Sequence, residues 1–232
     1  MPPIAFQRWR DLLFVHWRVS PAALRPLVPP SLTLDLCDRI AWVTLIPFEI
    51  AESRPAAWPR RLAHRFLEVN LRTYVRGPDG EPGIYFWSLD TSSPIAVAGA
   101  RLLYGLPYFP ASMAMDRAGG HVAYHSQRRI GPPAELHVDW TVGAALGTAA
   151  AGSIDHFLVE RYQLYVSRAR LIFRARVRHR PYPLHEASVS HLSETLLRAA
   201  GIPAPAEAPL LHFSPGVDVN IFPPHRVRAH RQ

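Results

Sequence analysis

Proline punctuates this chain from end to end. Twenty-four prolines are spread over 232 residues, and each removes an amide donor and blocks a helix from continuing. Little room remains for long helices. The regular pattern that does recur has a period of two. In residues 66–75, Leu67, Val69, Leu71, Thr73 and Val75 share one face of a strand. Phe66, Glu68, Asn70, Arg72 and Tyr74 share the other, because successive strand side chains point to opposite sides. Gly77-Pro78-Asp79-Gly80 supplies a turn, and residues 83–90 return as the second strand of a hairpin.

Further strands are expected at 32–36 and 40–50, around a turn at Cys37-Asp38-Arg39. Others fall at 121–129, 135–142, 157–166, 171–178 and within 210–222, while 54–61 reads as a loop. Helices are few. Ser20 and Pro21 cap a short one that takes in Ala22, Ala23 and Leu24 and ends before Pro29-Pro30. A second covers 95–104 and stops at Gly105-Leu106-Pro107. An amphipathic stretch over 188–200, closed by Gly201 and Pro203, predicts a third. Many strands, few helices and no repeat or linker predict a mainly β (α+β) fold. The expected form is an antiparallel β-barrel or cone with a few peripheral helices, in a single domain spanning 1–232.

Composition narrows the function. An apolar content of 48% is enough for a sizeable core and too high for disorder at a net charge of +8. Cys37 is the only cysteine, so no intrachain disulfide is expected. The early apolar run from Leu12 to Val15 is too short for a secretory leader, and no stretch approaches a membrane span. The expectation is a cytoplasmic protein, with a homo-oligomer left open. The basic balance invites a nucleic-acid reading, tested at the densest charge run. Arg168, Arg170, Arg174, Arg176, Arg178 and Arg180 all sit at even positions, with Leu171, Phe173, Ala175 and Val177 between them. That is a strand with an apolar face and a solvated arginine face, and the arginine face carries no aromatics, so no nucleic-acid partner is expected.

Metal and cofactor signals are absent. His121 and His125 are four apart, but on a strand that spacing separates the rings by roughly 13 Å. The twelve histidines lack a clustered carboxylate or cysteine partner. No glycine loop for phosphate and no glycine-x-serine-x-glycine nucleophile motif occurs. All 26 basic residues are arginine. A guanidinium stays protonated and does not condense with a carbonyl, so lysine Schiff-base chemistry is excluded.

Several segments, in order, resemble the uncharacterised YqjF-like family, which is distantly similar to acetoacetate decarboxylase. They are Ala41-Trp42-Val43 with Pro47-Phe48, Glu68 through Val75, Gly83 through Asp90, Ala100-Arg101 with Gly105-Leu106-Pro107-Tyr108, Glu160-Arg161-Tyr162, and His179 through Leu184. The resemblance implies a β-barrel or cone with a small-molecule cavity and no established activity. In the decarboxylase family, glycine, an apolar residue and proline precede two lysines. Here Gly105-Leu106-Pro107 precedes Tyr108 and Phe109, so the resemblance puts Tyr108 at the nucleophile's position and Phe109 at that of its cationic neighbour. Glu68 matches the family's active-site carboxylate.

If the polar face of the 66–75 strand points inward, Glu68, Asn70, Arg72 and Tyr74 enter one cavity. Arg72 then suits a carboxylate. Glu68 either pairs with Arg72 in a network that fixes the barrel, or serves as an acid or base. Tyr108 would donate to a carbonyl or enolate oxygen. Arg101 and Arg161 are further anion-binding candidates, with a structural role as the leading alternative. The expected function is binding of a small carboxylate or carbonyl metabolite. Any catalysis would be lysine-independent, of lyase or isomerase type. The alternative is a non-catalytic binding or sensing protein.

Overall fold

Alternation organises the computed structural model, which describes residues 1–168 and 171–227. The strands in chain order are β1 (Ala5–Val19), β2 (Thr33–Leu34), β3 (Ala41–Pro55), β4 (His64–Arg76), β5 (Pro82–Thr91), β6 (Tyr108–Ala118) and β7 (His121–Arg128). They continue with β8 (Glu135–Gly147), β9 (Gln163–Arg168), β10 (Leu171–Arg178), β11 (Leu184–Glu194), β12 (Leu210–Ile221) and β13 (His225–Val227). The helices are α1 (Pro21–Leu24), α2 (Pro94–Tyr104), α3 (Ile154–Val159) and α4 (Leu196–Ala199).

All thirteen strands join one sheet in the order β13-β10-β9-β5-β6-β7-β8-β11-β12-β1-β3-β4-β2. Two further pairings, β4 with β5 and β10 with β12, make this large twisted sheet curl back onto itself. One circuit of paired strands runs β4-β3-β1-β12-β10-β9-β5. The other runs β4-β3-β1-β12-β11-β8-β7-β6-β5. They share the wall β12-β1-β3-β4-β5. The pairing is antiparallel except that β5 lies parallel to both β6 and β9.

Each face of the shared wall packs into its own core. Val43, Leu45, Val69 and Leu71 meet Val122, Tyr124, Leu136, Val138 and Trp140 in one cluster. Trp42, Ile46, Phe48, Phe66 and Tyr74 meet Phe86, Leu89, Val166, Val177 and Tyr182 in the other. A wall buried on both sides explains why β3 reads as a nearly unbroken apolar run. The alternation is reset once. Asp11 has φ 53° and follows Arg10, whose partner on β12 is Gly216, at φ 129°. The extra residue in β1 lets Trp9 and then Leu12 and Phe14 face the same core, although their numbering changes parity. A Cβ at Gly216 would lie 2.0 Å from the Trp9 carbonyl oxygen, so the crossing admits only glycine.

Two expectations are corrected. Residues 157–166 are not one strand. The Ser153 hydroxyl caps α3 by accepting from the His156 amide, and β9 begins only at Gln163. Residues 188–200 are not one helix. They complete β11, and only α4 is helical. A bulge between Val189 and His191 leaves Ser190 without a register partner on β8. Val189, Leu192 and Leu196 thereby acquire the spacing of a helix face while two of them lie in a strand. The 32–36 strand shrinks to β2, and the supposed loop at 54 begins as the end of β3. Ser20 occupies the cap position of α1 but makes no side-chain cap bond. On β10, Arg176 and Arg178 are exposed and lie over the Phe222 ring, and Arg174 pairs with Asp79. Arg170 lies outside the described residues.

Candidate functional site

The first circuit is hollow. Its interior holds a cavity of about 440 Å³ lined on one side by Phe66, Glu68, Asn70 and Arg72, the inward face of β4. Opposite and around them stand Ile46, Phe48, Ile84, Phe86, Leu89, Leu106, Val177 and Tyr182. Tyr108 and Arg161 add to the polar lining, as do Gln7, Ser53, Arg54, His64 and Gln163. This is a mostly apolar pocket with a few convergent polar groups, in the size range of organic ligand sites.

Glu68 is buried at 3% exposure, and its carboxyl receives the Tyr108 hydroxyl at 2.9 Å. Burial pushes its pKa up to about 8. The Tyr108 hydrogen bond opposes the rise, and the nearby Asp90 charge reinforces it. Near neutral pH the carboxyl is therefore largely protonated and able to donate. Tyr108 is delivered by the end of α2. Gly105 takes a left-handed φ of 68° and its amide bonds back to the Arg101 carbonyl, turning the chain into β6.

Arg72 is buried at 5% exposure. It donates to the Leu158 carbonyl oxygen at 3.1 Å, and its Nε has no partner. The rings of Phe14 and Tyr74 lie about 6 Å from the guanidinium. Among the described residues neither Arg72 nor Glu68 takes part in an ion pair, with each other or with any other group. The expected alternative, a Glu68–Arg72 network, is not made. Asn70 lines the pocket too, and its Oδ1 is buried without a partner. Arg161 reaches the same pocket but is already committed: it pairs with Asp35 at 2.9 Å and stacks over Phe157 at 4.2 Å.

Two candidates stand elsewhere. Tyr74 shares the face of Arg72 but does not line the cavity. It is sunk into the wall, bonded to the Thr44 hydroxyl at 2.6 Å and to the Leu158 carbonyl oxygen at 2.7 Å. Arg101 is exposed and donates to the Tyr108 backbone carbonyl at 2.7 Å, so it braces the α2–β6 junction from outside. Phe109 also faces away from the cavity, between Arg101 and Arg128. The sequence reading missed the forked ion pair of Arg128 with Asp90, at 2.7 and 2.9 Å. It places a charge beside Glu68. Asp90 was visible as the last alternate residue of β5, but nothing local marks Arg128 as its partner. His121 and His125 lie on β7, and among the described residues no group of three metal-ligating side chains occurs.

Residues 6–218 match DUF2071, a family of uncharacterized conserved proteins. The chain is 38% identical to the uncharacterized protein YqjF of Bacillus subtilis, over 94% of this chain and 90% of that protein. Among solved structures it resembles acetoacetate decarboxylase from Legionella pneumophila, with TM-score 0.67 and 12% identity over 99% of this chain and 89% of that one. It also resembles the enduracididine biosynthesis enzyme MppR in complex with pyruvate, with TM-score 0.68 and 15% identity over 100% of this chain and 93% of that one. At such identities the structures establish the fold alone. The chain carries the acetoacetate decarboxylase-like fold, and by sequence it belongs to the DUF2071 family.

Proposed function

We propose that the protein binds a carboxylate or carbonyl metabolite in the β4 cavity, with Arg72 as the anion anchor. Farther along the same strand face, Glu68 forms an acid–base pair with Tyr108. The observation that carries this reading is the buried Arg72 guanidinium, which lines the cavity and has no carboxylate of its own. Burying an uncompensated cation is costly, and an anionic ligand removes that cost while gaining charge-assisted hydrogen bonds. That MppR is known with pyruvate bound supports an oxo-acid class for the pocket.

The chemistry available is proton transfer. A Glu68 carboxyl with a pKa near 8 can donate to a developing enolate oxygen and take the proton back, with Tyr108 holding the same oxygen. No lysine imine step is open, because the chain has no lysine. A non-catalytic binding role uses the same pocket, and a cytoplasmic location belongs to the same proposal. The test is differential scanning fluorimetry with a panel of monocarboxylates. Binders are expected to raise the Tm of the wild type and not of Arg72→Gln. Equal stabilisation of both proteins would remove the reading.

A further inference from the structure

Three features of the cavity bear on the shape of its ligand. The first is length. Phe66 and Arg72 both line it and are six positions apart on one strand, which at about 3.3 Å per residue is roughly 20 Å of wall. The second is the distribution of polarity. The unpaired cation sits at the Arg72 end, and Ile46, Phe48, Leu89 and Leu106 lie on the way from it. Glu68 and Tyr108 on that path are hydrogen-bonded to each other. The third is the rim. Trp58, Leu62 and Ile95 line the same cavity and remain 52%, 53% and 74% exposed. Large apolar side chains gathered at one opening are a recognition feature, whereas scattered ones are not.

A three-carbon acid held at Arg72 would leave most of this apolar wall uncovered. It would also stand about 13 Å along the strand from Glu68, four positions away. We infer that the ligand is an elongated amphipathic carboxylate: its acid group rests on Arg72, and a hydrocarbon or aryl body runs along the apolar wall toward Trp58, Leu62 and Ile95. This inference rests on the carboxylate reading of Arg72 and adds the demand for an apolar body. The gain is ordinary hydrophobic transfer into a preformed pocket, with affinity rising about fourfold for each methylene that finds wall to cover.

The experiment is calorimetric titration of the intact protein with straight-chain carboxylates from propionate to decanoate. Pyruvate and methyl octanoate serve as further ligands, and Arg72→Gln as a second protein. Expected are an affinity that climbs with chain length before levelling, weak binding of pyruvate, and loss of at least tenfold for the uncharged ester. Arg72→Gln should lower the whole series by a similar factor. A series that is flat in length but still depends on Arg72 overturns the elongated ligand and leaves the carboxylate reading standing. A series that climbs equally in Arg72→Gln overturns the carboxylate anchor, and the inference falls with it. Absence of binding by every acid removes both. As a variant check, Phe48→Ala is expected to weaken octanoate more than propionate, and equal weakening of both counts against the inference.

Discussion

Leu71 and Arg72 are neighbours in the chain and inhabit different compartments. Leu71 is fully buried in a core filled by Trp140, Leu136, Leu45 and Val69. Arg72 is equally hidden from bulk water, yet it faces a cavity of about 440 Å³. The same wall thus separates a region made of apolar contacts from one in which a charge waits for a partner. Burial alone does not distinguish a structural residue from a functional one; the content of the space on each side does. The side chains that matter for ligand are those whose polar atoms end in that space unanswered.

The largest predicted contrast breaks along this pair. Leu71→Ala should cost about 2–5 kcal/mol in urea unfolding, because the filled compartment cannot collapse around the hole. Arg72→Met should leave stability within about 1 kcal/mol or raise it, since it removes a buried unpaired charge. The same change should lower carboxylate affinity on the order of a hundredfold by calorimetry. If Arg72→Met costs as much as Leu71→Ala, the guanidinium is a structural strut and the contrast is lost.

Next in size is the pH dependence set by Glu68. Its folded pKa, about 8, lies above the ordinary value of 4.5. Between those values the folded state holds a proton that the unfolded chain has released. Stability therefore falls as pH rises from about 4.5 to about 8, by on the order of a few kcal/mol. Glu68→Gln should remove this alkaline loss, gaining on the wild type at pH 9 relative to pH 5. His16 acts in the opposite sense. Burial, then the nearby His212 and Arg72, hold its pKa well below the usual value, so its contribution is lost as pH falls below 6.5. Glu68→Gln should leave that acid limb unchanged in unfolding curves taken across pH.

A smaller effect is expected from Tyr108→Phe. Deleting the hydroxyl removes about 1 kcal/mol of hydrogen bonding and the one contact that lowers the Glu68 pKa. The alkaline limb should then move to higher pH, a shift readable by NMR titration of the Glu68 carboxyl. Smallest of all is Arg101→Ala, outside the cavity. It should change stability by no more than about 0.5 kcal/mol and leave carboxylate affinity unaltered. A large loss of affinity would show that the α2–β6 junction positions Tyr108 more tightly than its exposed brace suggests.

How much of this was readable beforehand follows from the range of each signal. The two faces of β4 were legible because alternation is local and uninterrupted from Phe66 to Val75. Glu68, Asn70, Arg72 and Tyr108 were named from that face and from the Gly105-Leu106-Pro107 motif. Alternation gives a face, however, and not a depth. Tyr74 points the same way as Arg72, but its hydroxyl finds Thr44 and the Leu158 carbonyl within the wall. Bulges defeated the period elsewhere. Ser190 made a strand look helical, and Asp11 shifted β1 by one residue. The Asp90–Arg128 pair spans 38 residues, and the closed circuits depend on pairings of β4 with β5 and β10 with β12. No local pattern carries such information.

The shared wall also bears on how such a protein changes over generations. Alternate positions along β3 and β4 answer to separate demands, one set to holding the molecule together and the other to what it recognises. Substitutions at Ile46, Phe48, Asn70 or Arg72 can reshape the ligand while the residues between them keep the fold above its stability threshold. On the proposed reading, a lineage built on this plan can change its ligand without first having to rebuild its architecture.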